Sequence, residues 1–345
     1  MNNPNDEKES FEYDGRLVIN AVYAAEDGAL QSLTKDDALA KLTAFEEGTP
    51  SQPGFGFDDL QLQEWLNRYS DISPMLKSVT EEVIDLAFTK EKYDLNEEVV
   101  DSDGDAVEGF IRDEWSAYAY LYPGKYLFLQ GSQGKMDDLQ KQLSPLFNGS
   151  NFRPIEFDPE FLLWLVWKSD VVNGPPRLDI DHFSDAIMKG NLSYFGRSNE
   201  VSDSRSITNS HPIIAGILDD RNFDKLEGIF EIADPDGESI KVDAQLYADG
   251  NIRVMAQKSV GSAHQFKRTL ITNLFLEQLL ETYLEWEELD PKHKYVHPRY
   301  FHTLYEQAKD MTNGAEYDFD YDSLVKKYAD LREEDPKKHA NLDFD

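Results

Sequence analysis

Hydrophobic and polar residues alternate most regularly in the last third of the chain, where the pattern predicts a three-stranded β-meander. The strands are Leu226–Ile232, Ile240–Leu246 and Ile252–Ala256, separated by the turn residues Asp234–Gly237 and Asp249–Asn251. Successive side chains of a strand point to opposite sides, so the alternation gathers the apolar residues on one face. An amphipathic sheet of this kind needs a covering layer.

The segment after the meander has the spacing of a helix that would supply this cover. Phe266, Leu270, Leu274 and Leu280 form a broad apolar stripe between residues 265 and 289. Similar spacing predicts further helices over residues 136–147, 159–167, 299–311 and 323–331. The helix at 159–167 is the most apolar of them, and its aromatic residues are expected in the core.

A β-hairpin is predicted in the first half, with strands Trp115–Tyr122 and Tyr126–Gln130 around a Pro-Gly-Lys turn. The tyrosines at 118, 120 and 122 share one face, and the alanines at 117 and 119 share the other with Leu121. If the alanine face is buried, the tyrosines form a surface platform on which nucleic-acid bases stack.

Three segments have weaker patterns. A helix is predicted to start at Thr80 and to carry Val83, Ile84 and Phe88, and residues 93–108 are acidic and predict a loop. Residues 180–189 are predicted to be helical, with Asp179 and Asp181 as capping acids. Together with His182, these two carboxylates are also a candidate hydrolase group.

Together these elements predict an α+β fold in which antiparallel β-meanders and hairpins are covered by amphipathic helices, in one large or two packed domains. The expected division is a disordered tail over 1–15, an N-terminal domain over 16–175, a C-terminal domain over 176–331 and a charged tail over 332–345. Gly and Pro in Asn173–Pro176 place the boundary.

The charge changes this picture most. There are 67 acidic and 34 basic residues, which gives a net charge of −33 over 345 residues. Three explanations stay open: adaptation to high salt, mimicry of nucleic acid by carboxylates, and an ordinary acidic protein. At low salt such a charge repels DNA phosphates and anionic membranes, and molar salt weakens that repulsion.

Other features exclude some classes of protein. No apolar run approaches 18 residues, and the first residues lack the basic-then-apolar order of a signal peptide. The sequence therefore predicts a cytoplasmic protein without a membrane partner. There is no cysteine, which excludes disulfides and thiolate metal sites. No cofactor is predicted.

His293, His297 and His302 are the candidate metal ligands. They lie close to four acidic residues between 285 and 290, and imidazoles with carboxylates bind Zn²⁺ or Mn²⁺. Pro291 and Pro298 interrupt the helix that would place the first two histidines on one face. The alternative is a solvated loop between two helices.

Arg253, Lys258, Lys267 and Arg268 are the candidate nucleic-acid contacts. Arg253 is on the last strand of the meander, Lys258 follows shortly after that strand, and Lys267 and Arg268 are in the first turn of the long helix. Lys and Arg neutralise phosphates, so a cluster here would bind the nucleic-acid backbone. The alternative is a set of surface ion pairs with nearby glutamates.

The order of elements between residues 115 and 289 resembles that of the bacterial recombination-associated protein RdgC family. The similar strings include Tyr126–Gln130, Phe161–Ser169, Ile207–Asn209 and Asp249–Val254, followed by the leucine-rich helix. The resemblance implies a ring-shaped dimer that holds duplex DNA and restrains the RecA recombinase. It carries over no site residue, and the charge departs from it, since a DNA ring should be lined with Lys and Arg.

The sequence as a whole predicts a binding or regulatory protein rather than an enzyme. Its partner would be a nucleic acid or a protein, and it would form a homo-oligomer if the family resemblance holds. Two alternatives stay open: a metal-dependent hydrolase or nuclease using a carboxylate and histidine cluster, and an acidic DNA mimic.

Overall fold

Antiparallel strands and covering helices make up the computed structural model, which confirms the predicted α+β class. The structure describes residues 17–26, 28, 30–68, 72–100, 106–147, 152–171, 174–175, 177–193, 196–202, 204, 206–233, 239–255, 265–311 and 320–340. The chain divides into two compact units, residues 1–155 with 264–270 and residues 156–263 with 271–345. The division thus falls before the helix at 159–170, whereas the sequence placed it after that helix.

The first unit contains a sheet in the order β2-β3-β4-β5-β1, with β6 also paired to β1. Its strands are β1 (Leu17–Ala25), β2 (Phe55–Asp59), β3 (Ile84–Val100), β4 (Ala106–Tyr122), β5 (Tyr126–Gln130) and β6 (Phe152–Pro154). Its helices are α1 (Lys35–Lys41), α2 (Leu62–Leu66), α3 (Pro74–Glu82) and α4 (Gln133–Leu143), the last followed by a 3₁₀ turn (Ser144–Phe147). The predicted β4–β5 hairpin is confirmed, with Leu121 opposite Leu127.

The helix predicted from Thr80 and the loop predicted over 93–108 are both wrong. Ser73 accepts a hydrogen bond from Leu76 N–H and Pro74 follows it, so α3 begins earlier and ends at Glu82. Ile84, Leu86 and Phe88 are then buried in alternation as part of β3. The polar stretch beyond them pairs with β4, for example Tyr93 with Arg112, and residues 101–105 lie outside the described residues.

The predicted tyrosine platform is also wrong, because two of its three rings, those of Tyr120 and Tyr122, are buried, and that of Tyr118 is half-buried. Ala117 and Ala119 belong to the core beneath the sheet, while Tyr120 and Tyr122 are each only 1% exposed. The Tyr120 hydroxyl donates to Oε1 of Gln130 at 3.1 Å. Buried rings with internal partners cannot stack on bases.

The second unit contains the sheet β11-β10-β9-β7-β8. Its strands are β7 (Asp179–Ser193), β8 (Gly196–Val201), β9 (Asn222–Ala233), β10 (Ser239–Tyr247) and β11 (Ile252–Val254). Its helices are α5 (Pro159–Asp170), α6 (His211–Leu218), α7 (Gln265–Glu287), α8 (Pro291–Lys294), α9 (Pro298–Met311), α10 (Tyr321–Leu331) and α11 (Lys337–Ala340), with a 3₁₀ turn (Ile207–Asn209) and with residues 265–270 of α7 grouped with the first unit.

The predicted meander and its covering helix are confirmed. Val242 on β10 pairs with Phe230 on β9, and Ala244 pairs with Val254 on β11. The ring of Phe275 on α7 lies 5.2 Å from that of Phe230, so the long helix packs on the apolar face of the meander. The aromatic residues of α5 are core residues, as expected, since Phe161 and Trp164 are buried.

The helix predicted over 180–189 is wrong, because this segment is strand β7 between β8 and β9. Ile180, Phe183 and Ala186 are buried at intervals of three residues, which is the spacing that suggested a helix. Irregularities in the pairing with β9 follow both Ile180 and Phe183. Each β-bulge adds one residue and shifts the inward positions, so a bulged strand imitates the helical period.

In the part of the chain that the structure describes, none of the helices combines the length and the apolar character needed to cross a bilayer.

Candidate functional site

A cleft of about 800 Å³ lies within the second unit. It lies where the end of α5 meets α8, α9 and the 3₁₀ turn. The lining residues are Trp167, Asp170, Val171, Thr208, Asn209, Lys292, His293, His297, Arg299, Tyr300, Thr303, Leu304, Gln307 and Arg332. This volume is typical of small-molecule sites in proteins.

Two buried tryptophans hold the α8 side of the cleft in place. The indole N–H of Trp164 donates to the carbonyl of His293, and that of Trp286 donates to the carbonyl of Lys294, each at 2.9 Å. An indole N–H needs an acceptor when it is buried, so the two rings fix the short helix against α5 and α7. The backbone that carries the side chains of Lys292 and His293 is thereby held in a fixed position.

Asp170 is the single acidic residue of the lining. Its Oδ2 accepts from the hydroxyl of Tyr300 at 2.6 Å, and its Oδ1 accepts from that of Thr208 at 3.0 Å. Burial raises the pKa of Asp170, although the two hydrogen bonds act in the opposite direction. Burial, together with the nearby Asp170, also raises the pKa of Tyr300 well above its ordinary value, so this phenol remains a donor.

Lys292 and Arg299 give the cleft its positive charge. Both side chains are exposed, and neither has an ion-pair or hydrogen-bond partner for its charged group among the described residues. Lys35, Arg112 and Lys327 each bridge a carboxylate, whereas exposed lysines such as Lys41 and Lys77 resemble Lys292 in having no ion pair among the described residues. What distinguishes Lys292 and Arg299 is that both line the same cleft.

Trp167, a lining residue at the end of α5, has a further cation beside it, Lys168. The ammonium of Lys168 lies 5.0 Å from the centre of the Trp167 ring, which is cation–π distance. Burial lowers the pKa of Lys168. Trp167, which lines the cleft, is therefore in contact with a cation that does not itself line it.

Arg332 lines the cleft but is already engaged. Its Nη1 donates to the carbonyl of Tyr295 at 2.6 Å, and its Nη2 lies 3.2 Å from Oε1 of Glu334. The side chain is only 7% exposed. Arg332 therefore ties the segment after α10 to the wall, and its charge is balanced by Glu334.

The same segment brings His297, Glu334 and His339 together. One ligand atom from each of the three lies within 4.8 Å of the other two, and all three residues are half-buried. Nε2 of His339 is 2.9 Å from Oε2 of Glu334. Burial lowers the pKa of His297, and the nearby Arg332 adds to this effect, so its imidazole stays neutral.

The structure places the three predicted metal ligands in different surroundings. His293 and His297 both line the cleft, whereas His302 lies on α9 and is not part of the lining. Among the described residues, the one group with converging ligand atoms contains His297 but replaces the other two with Glu334 and His339. The predicted metal site therefore has one residue in common with the observed cluster.

The predicted nucleic-acid residues are spread over several elements. The guanidinium of Arg253 on β11 lies 5.1 Å from the centre of the Tyr247 ring. Lys267 and Arg268 are half-buried in the first turn of α7, and Lys258 lies outside the described residues. Binding of nucleic acid through these residues stays a prediction.

Two of the three candidate hydrolase residues on β7, Asp181 and His182, line a smaller cavity of about 160 Å³, which shares Asp170 and Thr208 with the cleft, whereas Asp179 does not line it. Nδ1 of His182 is 3.7 Å from Oδ2 of Asp181, but that oxygen is also 3.0 Å from Nζ of Lys241. The hydrogen bond from Lys241 lowers the pKa of Asp181. Asp181 is thus an ion-pair partner of Lys241, and this pairing gives no support to a role as a proton acceptor.

Sequence reasoning missed most of this cleft, including Asp170, Lys292, Arg299 and Arg332. These residues are up to 162 positions apart in the sequence numbering, and none belongs to a short motif. The only available signal was the density of His and Lys residues between 292 and 302, which indicated the region of the cleft but none of these four residues as a group.

Comparison with known proteins does not assign the chain to a family. No protein-family model matches the chain, and no match was found among curated proteins. The resemblance to the RdgC family accordingly stays a prediction.

Proposed function

We propose that this chain is a binding protein whose second unit holds an organic anion with an aromatic or other apolar body. The cleft at the end of α5 is the binding site. The observation that carries this proposal is the pair of unpaired cations, Lys292 and Arg299, at a cavity of about 800 Å³. The sequence predicts a binding or regulatory protein, and the cleft adds a class of ligand to that prediction.

Only cations close to the cleft can attract an anion to it. A chain with a net charge of −33 repels anions at long range, so an anion binds only where nearby cations overcome that field. Lys292 and Arg299 both line this cleft, against a single carboxylate, Asp170, whose two oxygens already accept hydrogen bonds from Tyr300 and Thr208. Because opposite charges at short range attract strongly when partly screened from water, this is a favourable place for a carboxylate, sulfonate or phosphate group.

The apolar part of the ligand follows from the apolar lining residues of the cleft. Trp167, Val171 and Leu304 line the cleft, and Val171 is 46% exposed, which is high for a valine. Covering this surface removes apolar area from water, which contributes roughly 25 cal/mol per Å². An anion without an apolar body would not gain this contribution to its binding free energy.

Asp170 adds a further requirement. Each of its carboxylate oxygens accepts one hydrogen bond from the protein and retains a second lone pair. A hydroxyl or N–H of the ligand would complete these bonds. The preferred ligand thus carries an anionic group, an apolar body and at least one hydrogen-bond donor.

The experiment uses 1-anilinonaphthalene-8-sulfonate as a fluorescent probe, because it combines a sulfonate, two aromatic groups and an N–H. The proposal predicts saturable binding that weakens at least tenfold in the double variant Lys292→Gln/Arg299→Gln. Its neutral relative N-phenyl-1-naphthylamine should bind both proteins equally. Binding should also weaken with added salt, since the ion pairs are at the surface.

The matched control is Lys41→Gln/Lys77→Gln, which removes two exposed lysines of the first unit and lowers the net charge by the same amount. If the probe responds equally to both double variants, then overall charge governs its binding and the cleft is not its site. If neither variant changes the affinity, the proposed anion site is wrong.

A further inference from the structure

We propose that His297, Glu334 and His339 form a binding site for a first-row transition metal, with Zn²⁺ as the reference ion. This site is separate from the two predicted ligands His293 and His302. It goes beyond the proposed anion binding, and the two can be tested independently.

The geometry supports this assignment. The three side chains come from three places in the fold: the residue before α9, the turn after α10, and α11. Their ligand atoms all lie within 4.8 Å of one another. Tetrahedral zinc with N and O ligands at about 2.0–2.1 Å separates its ligand atoms by roughly 3.3 Å, so the side chains need to close by about 1.5 Å or less.

The chemistry of the donors is also suitable. Two imidazoles and one carboxylate are a frequent donor set for Zn²⁺ and other first-row ions, and they leave one or more positions for water or a ligand. An ion here would lie at the wall of the cleft, because His297 is one of its lining residues. Hard ions such as Mg²⁺ prefer oxygen ligands and should compete poorly.

Two existing contacts limit the affinity. The backbone N–H of Arg299 donates to Nδ1 of His297 at 3.1 Å, and this bond is lost on metal binding, whether the metal takes Nδ1 itself or the proton moves to Nδ1 to free Nε2. Loss of one helix-capping bond weakens binding by roughly fivefold. Arg332 also contacts Glu334 at 3.2 Å, and its positive charge opposes a second cation nearby. We therefore expect micromolar rather than nanomolar affinity.

The test is titration of the full chain with Zn²⁺ by calorimetry, after treatment with EDTA and in excess Mg²⁺. Excess Mg²⁺ occupies the many weak carboxylate sites of this acidic surface. A single strong site is expected in the wild type, and the variants His339→Gln and Glu334→Gln should weaken it at least tenfold. Co²⁺ should give the visible absorption of a site with nitrogen and oxygen ligands.

The matched controls are His293→Gln and His302→Gln, which remove the two predicted ligands outside the cluster. They should bind Zn²⁺ with wild-type affinity. The inference is overturned if the wild type shows no site in excess Mg²⁺, or if His339→Gln binds as tightly as the wild type while retaining its circular dichroism spectrum. Probe binding measured in EDTA reports on the anion site alone, so either proposal can fail while the other stands.

Discussion

The hydroxyl of Tyr300 donates a 2.6 Å hydrogen bond to Oδ2 of Asp170 and joins helix α9 to the end of α5 at the wall of the cleft. Tyr300 is 8% exposed, so water has little access to its hydroxyl. Hydrogen bonds to charged groups contribute more than neutral ones. This pair therefore contributes to stability and also shapes the binding site.

Tyr300→Phe should lower the free energy of unfolding by about 1–2 kcal/mol at neutral pH, because Asp170 loses a donor to its charged form. The pKa of Asp170 should rise further, since the hydrogen bond from Tyr300 acts to lower it. Urea unfolding measures the first effect, and a ¹³C NMR titration of the carboxyl group measures the second.

The control for this variant is Tyr305→Phe on the same helix, whose hydroxyl has no hydrogen bond to the described residues. It should change stability by less than about 0.5 kcal/mol. The loss in Tyr300→Phe should also shrink in acid, where Asp170 is protonated in both states. A loss that is independent of pH would show that the hydrogen bond to the charged carboxylate is not the cause.

Glu160 on α5 predicts a distinct pH dependence of stability. It is half-buried, and burial raises its pKa despite Lys327 at 3.3 Å and the Tyr328 hydroxyl at 2.8 Å. A raised folded-state pKa means that the folded protein binds this proton more tightly than the unfolded chain. The contribution of Glu160 to stability is therefore present in acid and falls as pH rises above 4.5 through the folded-state pKa.

Glu160→Gln should remove that dependence. Wild-type stability relative to the variant should decline between acid and neutral pH, as measured by urea unfolding at a series of pH values. Glu156→Gln replaces an exposed carboxylate just before the same helix and serves as the control. A wild type that gains stability over Glu160→Gln as pH rises would contradict the sign of the shift.

The sequence predicted the fold best where local pattern and final environment agree. The meander of β9, β10 and β11 has strict alternation, short turns and one covering helix, so its residues carry their own pairing signal. Strand β7 was predicted wrongly because its bulges depend on pairing with β9, whose partner residues are 33 to 52 positions away in the sequence. Irregular pairing of this kind has no signature within one segment.

The candidate site was predicted less well, for a related reason. His297 was identified from the density of histidines, but its neighbours Glu334 and His339 reach it only because α10 and α11 fold back. Nothing in the local sequence distinguishes the unpaired cations Lys292 and Arg299 from Lys327, which forms an ion pair with Asp220. Whether a lysine is paired depends on its three-dimensional neighbours, which composition does not contain.

Replacing Gly228 or Gly134 by alanine should change the stability of the protein in opposite directions, which tests the packing around each position. A Cβ at Gly228 on β9 would lie 2.6 Å from the carbonyl oxygen of His182 and 2.8 Å from Cδ1 of Phe183. Gly228→Ala should therefore destabilise the protein by about 1–3 kcal/mol through overpacking. Gly134 in α4 has no heavy atom within 4 Å of such a Cβ, so Gly134→Ala should stabilise it by about 0.5 kcal/mol.

Thermal or urea unfolding of the two variants gives the comparison directly. Because both replacements are Gly to Ala, their effects on the unfolded chain are similar, and the difference reports the folded state. A Gly228→Ala variant as stable as Gly134→Ala would mean that β7 and β9 can separate without cost at this point.

Lys35 and Asp85 form an ion pair, and replacing one partner should change the stability of the protein by a different amount from replacing the other. Nζ of Lys35 lies 2.6 Å from Oδ1 of Asp85, whose side chain is 1% exposed and whose Oδ2 accepts from Leu62 N–H at 2.8 Å. Burial raises the pKa of Asp85 even with these partners present. The ionised carboxylate is therefore held in the first unit at a net desolvation cost.

Asp85→Asn keeps an acceptor for Leu62 without that cost, so it should change stability by less than about 1 kcal/mol. Lys35→Met should cost about 2 kcal/mol or more at neutral pH, because it leaves the buried carboxylate without its cation. That loss should be smaller in acid, where Asp85 is protonated, and smaller in the Asp85→Asn background. A double-mutant cycle by urea unfolding measures the coupling, and equal costs for the two single variants would contradict this account of the pair.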